Sequence, residues 1–124
     1  MKKAMTTLNK KTENSICVTI SGKVWKGKKS SSIWMPEYFP NLYPGTLNLK
    51  LLHPKPDFRY TINVETKYGI CYLKECLIDN LPGFIIMPPN GLRKSNLIEV
   101  ASVYSLRQIL NLRDKNIVHV KIIM

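Results

Sequence analysis

The sequence lacks the patterns that would place it in a membrane or build a zinc site. No apolar run approaches the roughly 20 residues needed to cross a bilayer, and no apolar segment follows the N-terminal lysines as in a signal peptide. The three cysteines form no Cys-x-x-Cys pair, and the two histidines, His53 and His119, stand in no ligand spacing with them. These absences predict a cytoplasmic protein with reduced thiols, in which Cys17 and Cys71 are small core residues.

Acidic residues are also scarce, at 8 against 19 basic residues, which gives a net charge of +11 on 124 residues. A surplus of this size attracts nucleotide phosphates, nucleic acid or an anionic membrane. The basic residues cluster at positions 2–3, 10–11, 23–29 and 93–94. Charge alone does not distinguish a polyanion-binding site from a lysine-rich, solvated surface.

The hydrophobic pattern predicts one mainly β domain. Residues 1–14 are polar and lysine-rich and are predicted to form a flexible basic arm, followed by a single domain over residues 15–124. Alternation predicts short strands at 15–25, 46–52, 60–66, 70–78, 83–87, 97–103 and 117–123.

Two segments of the domain do not alternate. A helical stripe over residues 104–112 predicts one short helix near the C-terminus, capped by Ser105. Residues 33–43, with four aromatics and two prolines, are predicted to be irregular or a short helical turn. Six or seven short strands with one helix predict a small closed β-barrel.

Residues 43–51, Tyr-Pro-Gly-Thr-Leu-Asn-Leu-Lys-Leu, are the most informative segment. A Pro-Gly turn, in which glycine supplies a positive φ, leads directly into a strand. Alternation along that strand sends three leucines to one face and Thr46 and Asn48 to the other. A hydroxyl and a carboxamide side by side at the start of a strand could bind a hard cation or a phosphate. The alternative is an ordinary half-buried strand after a turn.

This segment resembles the signature of the archaeal-type CTP-dependent riboflavin kinases, small enzymes that phosphorylate riboflavin to FMN. Residues 97–101 and 106–114 are similar to that family's Ile-Glu-Ile strand, Leu-Arg helix and Leu-Lys-Asp-Gly turn. Residues 20–27 resemble the strand that leads into its glycine-rich loop. The resemblance implies a six-stranded cradle-loop barrel and the reaction of CTP with riboflavin to give CDP and FMN, with Mg²⁺.

The resemblance also implies roles for individual residues. Thr46 and Asn48 would hold Mg²⁺, since neutral oxygen ligands suit a hard cation. Glu99 would contact the flavin-like substrate and is a candidate for the base that takes the proton from its hydroxyl. The residues implied to bind the nucleotide are Lys26, Gly27, Lys28, Lys29 and Ser30 in the loop, and Tyr104, Ser105, Leu106, Arg107 and Gln108 at the start of the helix. The residues themselves also allow a solvated Glu99 on the outer face of a strand and an ordinary capped helix with a surface arginine.

The chain departs from the family pattern around both substrates. Lysines and serines replace most glycines of the loop, where they could donate hydrogen bonds to phosphates. On the flavin side, Gly91 stands where the family has threonine and Arg93 where it has histidine. An alternative is therefore a nucleotide-dependent kinase of the same fold acting on another small hydroxylated acceptor. A further alternative is a non-catalytic basic barrel that binds nucleic acid.

Overall fold

Seven strands and two short helices make up the computed structural model, which describes residues 17–25, 31–89 and 96–124. The strands form one antiparallel sheet in the order β3-β4-β5-β6-β2-β1-β7, and β7 also pairs with β4. That last pairing closes six strands into a barrel and leaves β3 beside β4. In chain order the elements are β1 (Cys17–Trp25), α1 (Ser31–Tyr38), β2 (Leu47–Leu51), β3 (Ile62–Thr66), β4 (Gly69–Ile78), β5 (Leu81–Met87), β6 (Leu97–Ala101), α2 (Leu106–Ile109) and β7 (Ile117–Ile123).

Strand β4 makes the closure possible because it is long enough to serve two partners along one edge. Its first half pairs with β3, from Gly69 opposite Thr66 to Leu73 opposite Ile62. Its second half pairs with β7, where Cys76 lies opposite Ile122. The β3–β4 hairpin therefore projects beyond the barrel, while the rest of β4 belongs to it.

Aliphatic side chains fill the barrel interior. Strand β7 alternates almost strictly between exposed and buried residues, and β2 buries its three leucines on one face, as the period-2 pattern predicts. Burial of each such aliphatic side chain stabilises the folded state by about 1.5–3 kcal/mol relative to leaving the side chain exposed. The buried members of this inner cluster are Ile20, Val24, Leu47, Leu49, Leu51, Cys76, Ile78, Ile85, Ile98, Val100, Leu106, Val118, Val120 and Ile122.

A second, smaller apolar cluster lies on the outer face of β4 and β5. Its buried members are Cys71, Leu73 and Ile86, against which Trp34 of α1 and the following Phe39 pack. The hydroxyl of Tyr38 accepts a 2.8 Å hydrogen bond from the backbone N–H of Lys67 in the β3–β4 turn. Glu37 forms a 3.3 Å ion pair with the Lys67 side chain. These two contacts hold helix α1 against the β3–β4 hairpin, and the helix covers part of the barrel's outer surface.

The mostly β, closed six-stranded barrel predicted from the sequence is confirmed, and its helices differ in detail. Residues 31–38 form a helix, which agrees with the short helical turn that was one of the two alternatives for residues 33–43 and begins two residues earlier than that segment. The C-terminal helix is shorter than the predicted 104–112 and spans Leu106–Ile109. Ser105 occupies its N-cap position, but its side chain makes no capping hydrogen bond, so the predicted cap is wrong.

The cysteines also differ from expectation. Cys71 and Cys76 are buried, whereas Cys17 is only partly buried and is not the core residue that was predicted. The predicted arm, residues 1–14, lies outside the described residues, so the division at residue 15 stays a prediction. Among the helices of the described segments, none has the length and apolar character needed to cross a membrane.

Candidate functional site

The turn before β2 sets the position of the first site residue. Gly45 has a φ of 103°, a conformation that side chains other than glycine rarely adopt, which confirms the predicted role of glycine in this turn. The N–H of Tyr43 donates a 2.8 Å hydrogen bond to the carbonyl of Ser102, just after β6. This hydrogen bond holds the turn against the end of β6. Thr46 follows the turn, directly before β2.

Strand register brings Thr46, Asn48 and Glu99 together on the outer face of the barrel. Asn48 lies directly opposite Glu99 on β6. The Thr46 hydroxyl donates a 2.7 Å hydrogen bond to Oε1 of Glu99. The three residues for which the resemblance implies metal and acceptor roles therefore form one polar group. On either side of it, Trp25 pairs with Asn48 and Ile86 pairs with Glu99.

Glu99 is buried although it lies on an outer face, with only 4% of its surface exposed. The alternative of a solvated carboxylate is therefore wrong. Burying a carboxylate is unfavourable unless hydrogen bonds compensate for the lost water, and the Thr46 hydroxyl supplies one of them. A threonine whose proton is directed at Glu99 keeps its lone pairs for a cation or another donor.

The charge of Glu99 reaches the neighbouring outer cluster. Burial and, to a smaller extent, the negative charge of Glu99 together raise the pKa of the Cys71 thiol to about 12. Burial also raises the pKa of Cys76, in the inner cluster, to about 12. Both thiols are therefore protonated and inert at neutral pH, and neither is a nucleophile for the site.

A cleft of about 140 Å³ opens between the turn before β2 and the segment that follows β6. One wall is the turn with Thr46, and the opposite wall contains Tyr104 and Arg107. Two sequence blocks that lie more than fifty residues apart thus form a single concave surface. The lining residues are Tyr43, Pro44, Gly45, Thr46, Leu47, Val100, Ala101, Ser102, Tyr104, Ser105, Leu106 and Arg107.

The five residues of segment 104–108, which are predicted to bind the nucleotide, are placed differently from one another. Tyr104, Ser105 and Arg107 line the cleft, and the Arg107 guanidinium also pairs with Asp114 at 3.0 Å. Leu106 lines the cleft as well, but its side chain is 5% exposed and belongs to the inner cluster. Gln108 is exposed and is not among the residues that line the cleft.

The remaining predicted site residues lie outside the described residues. They are Lys26, Gly27, Lys28, Lys29 and Ser30 of the basic loop, and Gly91 and Arg93 on the flavin side. The basic loop follows directly after Trp25 in the sequence, and Trp25 is the cross-strand partner of Asn48.

One residue of the cleft was not identified from the sequence. Ser102 is 2% exposed and lies between the two walls, where it hydrogen-bonds to the backbone of both. No local motif marks it, because its partners are distant in sequence or are backbone atoms. In the described segments, no group of three or more His, Cys, Asp or Glu side chains could hold a metal ion.

Comparison with known proteins gives a consistent set of similarities. The family model for CTP-dependent riboflavin kinases, described as "Domain of unknown function DUF120", matches residues 37–122. The chain is 28% identical over 121 residues to a riboflavin kinase of Pyrococcus furiosus, which covers 82% of this chain and 57% of that protein. It is 26% identical over 133 residues to a riboflavin kinase of Pyrobaculum islandicum, with coverages of 88% and 62%. The chain thus spans less than two-thirds of the length of these curated relatives.

Proposed function

The chain belongs to the CTP-dependent riboflavin kinase family, and we propose that it transfers the γ-phosphoryl group of CTP to riboflavin, giving CDP and FMN. The observation that carries this proposal is the hydrogen bond from Thr46 to the buried Glu99, at the edge of a cleft whose far wall holds Arg107. Phosphoryl transfer asks little covalent chemistry of a protein. It needs aligned reactants, neutralised phosphate charge and an orienting group or base at the attacking hydroxyl.

The donor set at the mouth of β2 fits a hard divalent cation such as Mg²⁺. Thr46 and Asn48 offer a hydroxyl and a carboxamide oxygen, and Mg²⁺ prefers such ligands together with water and phosphate oxygens. The Thr46 hydroxyl directs its proton to Glu99, so its lone pairs would face the cation. Bound there, Mg²⁺ would neutralise charge on the phosphates during transfer.

Glu99 has the environment of a group that orients an acceptor hydroxyl. Its carboxylate is almost fully withdrawn from water, where its hydrogen bonds and charge act more strongly than on the surface. As the acceptor oxygen bonds to the γ-phosphorus and CDP leaves, the hydroxyl proton would pass to Glu99. The same carboxylate would hold the flavin-like substrate in place before transfer.

The cytidine nucleotide would occupy the cleft opposite Thr46. Tyr104, Ser105 and Arg107 line that wall, while Leu106 can offer only its backbone because its side chain lies in the core. Arg107 is the cationic side chain of the wall and would contact a phosphate. The loop with Lys28 and Lys29, to which the resemblance gives a phosphate-binding role, would supply lysine amines in the place of glycine N–H groups.

An assay of nucleotide preference tests the proposed reaction directly. The purified protein is incubated with riboflavin, Mg²⁺ and each of CTP, ATP, GTP and UTP in turn, and FMN is followed by chromatography with fluorescence detection. FMN formed with CTP alone supports the proposal. CTP binding without FMN would point to another hydroxylated acceptor, which the replacements at Gly91 and Arg93 favour. A protein that binds no CTP would refute the kinase assignment, and nucleic acid would be the next ligand to test.

A further inference from the structure

Ser102 connects the two walls of the cleft through three hydrogen bonds. Its carbonyl accepts the N–H of Tyr43 at 2.8 Å, and its hydroxyl donates to the carbonyl of Pro82 at 2.8 Å. The same hydroxyl accepts the N–H of Tyr104 at 3.3 Å. One buried serine is thus bonded to the turn that carries Thr46, to strand β5 and to the start of the opposite wall.

The segment that follows Ser102 buries little apolar surface before Leu106. Val103 and Tyr104 are 56% and 43% exposed, so their side chains bury little apolar surface. Ser105 occupies the N-cap position of α2 without making a side-chain cap. Apolar packing of the wall resumes only at Leu106, which is buried in the inner cluster. The Ser105 carbonyl accepts two backbone N–H groups of α2. The hydrogen bonds of Ser102 therefore act on the path of the chain at Val103 and Tyr104.

A close approach of β5 to the end of β6 supports this arrangement. A Cβ atom added at Gly83 would lie 2.6 Å from the carbonyl oxygen of Ala101 and 2.5 Å from a methyl of Ile78. The missing side chain at Gly83 lets β5 come near enough for the carbonyl of Pro82 to meet the Ser102 hydroxyl. Strand β5, which belongs to the barrel, therefore sets the position of the Ser102 hydroxyl.

From these contacts we propose that Ser102 is a positioning residue that fixes the separation of the two cleft walls and thereby the affinity for the nucleotide. This inference rests on the proposed function, since it assumes that the cleft takes a nucleoside triphosphate. Ser102 acts through Tyr43 and Tyr104, because its hydroxyl already donates to Pro82 and accepts from Tyr104. Removal of the hydroxyl leaves the Tyr43 bond in place, because that bond is made by the Ser102 carbonyl. It breaks the bond to β5 at Pro82 and the bond to the wall that begins at Tyr104.

The test compares Ser102→Ala and Ser102→Thr with the wild-type protein. Binding of Mg²⁺-CTP is measured by calorimetry, KM values for CTP and riboflavin by FMN formation, and exchange of individual backbone amides by NMR. Ser102→Ala loses the hydroxyl's hydrogen bonds to both Pro82 and Tyr104, and we expect the Kd and KM for CTP to rise about three- to tenfold. The Tyr104 amide should lose its protection from exchange, while the KM for riboflavin should stay near the wild-type value. Ser102→Thr keeps the hydroxyl and should restore most of the CTP affinity.

Ser21→Ala is the control, because the Ser21 hydroxyl also makes a side-chain hydrogen bond, at 2.8 Å with Nδ1 of His119, but Ser21 does not line the cleft. It should leave CTP binding unchanged. If the wild-type protein binds CTP and Ser102→Ala binds it equally tightly, the role of Ser102 is refuted and the kinase proposal stands. Equal losses for CTP and riboflavin in Ser102→Ala would also refute it, since they would indicate a general loss of structure. A wild-type protein that binds no CTP would refute both proposals together.

Discussion

Both faces of β6 are buried, but they are built from different chemistry. On the inner face, Ile98 and Val100 are 3% and 0% exposed and pack into the barrel core. On the outer face, Glu99 is 4% exposed and is hydrogen-bonded to Thr46. An apolar side chain at position 99 could cover the same surface without the cost of burying a carboxylate. Closure of the barrel therefore does not explain Glu99, whereas the proposed chemistry does.

Strand β2 shows the same division beside it. Its leucines point into the core, with Leu49 at 0% exposure, while Asn48 faces outward and is only partly buried. In both strands the inner face belongs to the apolar core, and the outer face carries the polar groups of the candidate site. Substitutions on the inner faces should thus change stability, and substitutions on the outer faces should change activity.

The largest effect is expected at the proposed cation ligands. Thr46→Ala and Asn48→Ala should each abolish FMN formation, because each removes an oxygen ligand, and both should fold. FMN formation and thermal unfolding by circular dichroism measure the two properties separately. Lys50→Ala, an exposed position on the same face of β2, is the control and should keep its activity. Unchanged turnover in either ligand variant would rule out the assignment of that residue to the metal.

Glu99→Gln should have the next largest effect and should sharpen the contrast within β6. Glutamine keeps the size of the side chain and an oxygen that accepts from Thr46, but it cannot take a proton. We expect kcat to fall by about 10²- to 10⁴-fold with little change in stability. Ile98→Val, on the inner face of the same strand, should instead lower the free energy of unfolding by about 0.5–1.5 kcal/mol and keep kcat. A glutamine variant with full kcat would mean that Glu99 is structural.

Leu49→Ala tests the inner face directly. Its side chain is completely buried in the inner cluster, and truncation of such a leucine costs about 2–5 kcal/mol through lost burial and the cavity left behind. Urea denaturation followed by tryptophan fluorescence measures that loss. At temperatures where the variant remains folded, its KM for CTP should stay close to that of the wild type. A large rise in KM in the folded variant would show that the two faces cannot be separated.

The barrel could be predicted from the sequence because alternation is a local signal. Strand β7 was predicted with its observed bounds, and the other strands were placed within a few residues. Helix α1 was predicted only as one of two alternatives, a short helical turn or an irregular segment, because Pro36 lies within it and it is weakly amphipathic. Proline normally interrupts a helix, so packing of Trp34 and Phe39 against the outer cluster overrides the local preference.

The site could be predicted only where a motif marks it. Thr46, Asn48 and Glu99 were found from the resemblance, and β2–β6 pairing then brings them together. Burial of Glu99 could not be predicted, because it depends on how β2, β5 and β6 pair around it. Ser102 had no signal at all, since its role arises from Pro82, twenty residues away, and from the backbone of Tyr43.

The two buried thiols, Cys71 in the outer cluster and Cys76 in the inner cluster, allow the most sensitive test of the difference between the two faces of the barrel. The pKa values of Cys71 and Cys76 are both raised to about 12, by burial at each thiol and, at Cys71 only, also by the charge of Glu99. A raised thiol pKa stabilises the folded protein below the ordinary value near 9, and this stabilisation is lost as the pH rises toward 12. In Glu99→Gln the Coulombic contribution disappears, so the pKa of Cys71 should fall and its thiolate fraction at pH 9 should rise. Alkylation by iodoacetamide, followed peptide by peptide in a mass spectrometer, should therefore become modestly faster at Cys71 and stay unchanged at Cys76. Equal rates at Cys71 in the two proteins would mean that the charge of Glu99 does not reach the outer cluster, and acceleration at both thiols would instead indicate loosening of the whole barrel.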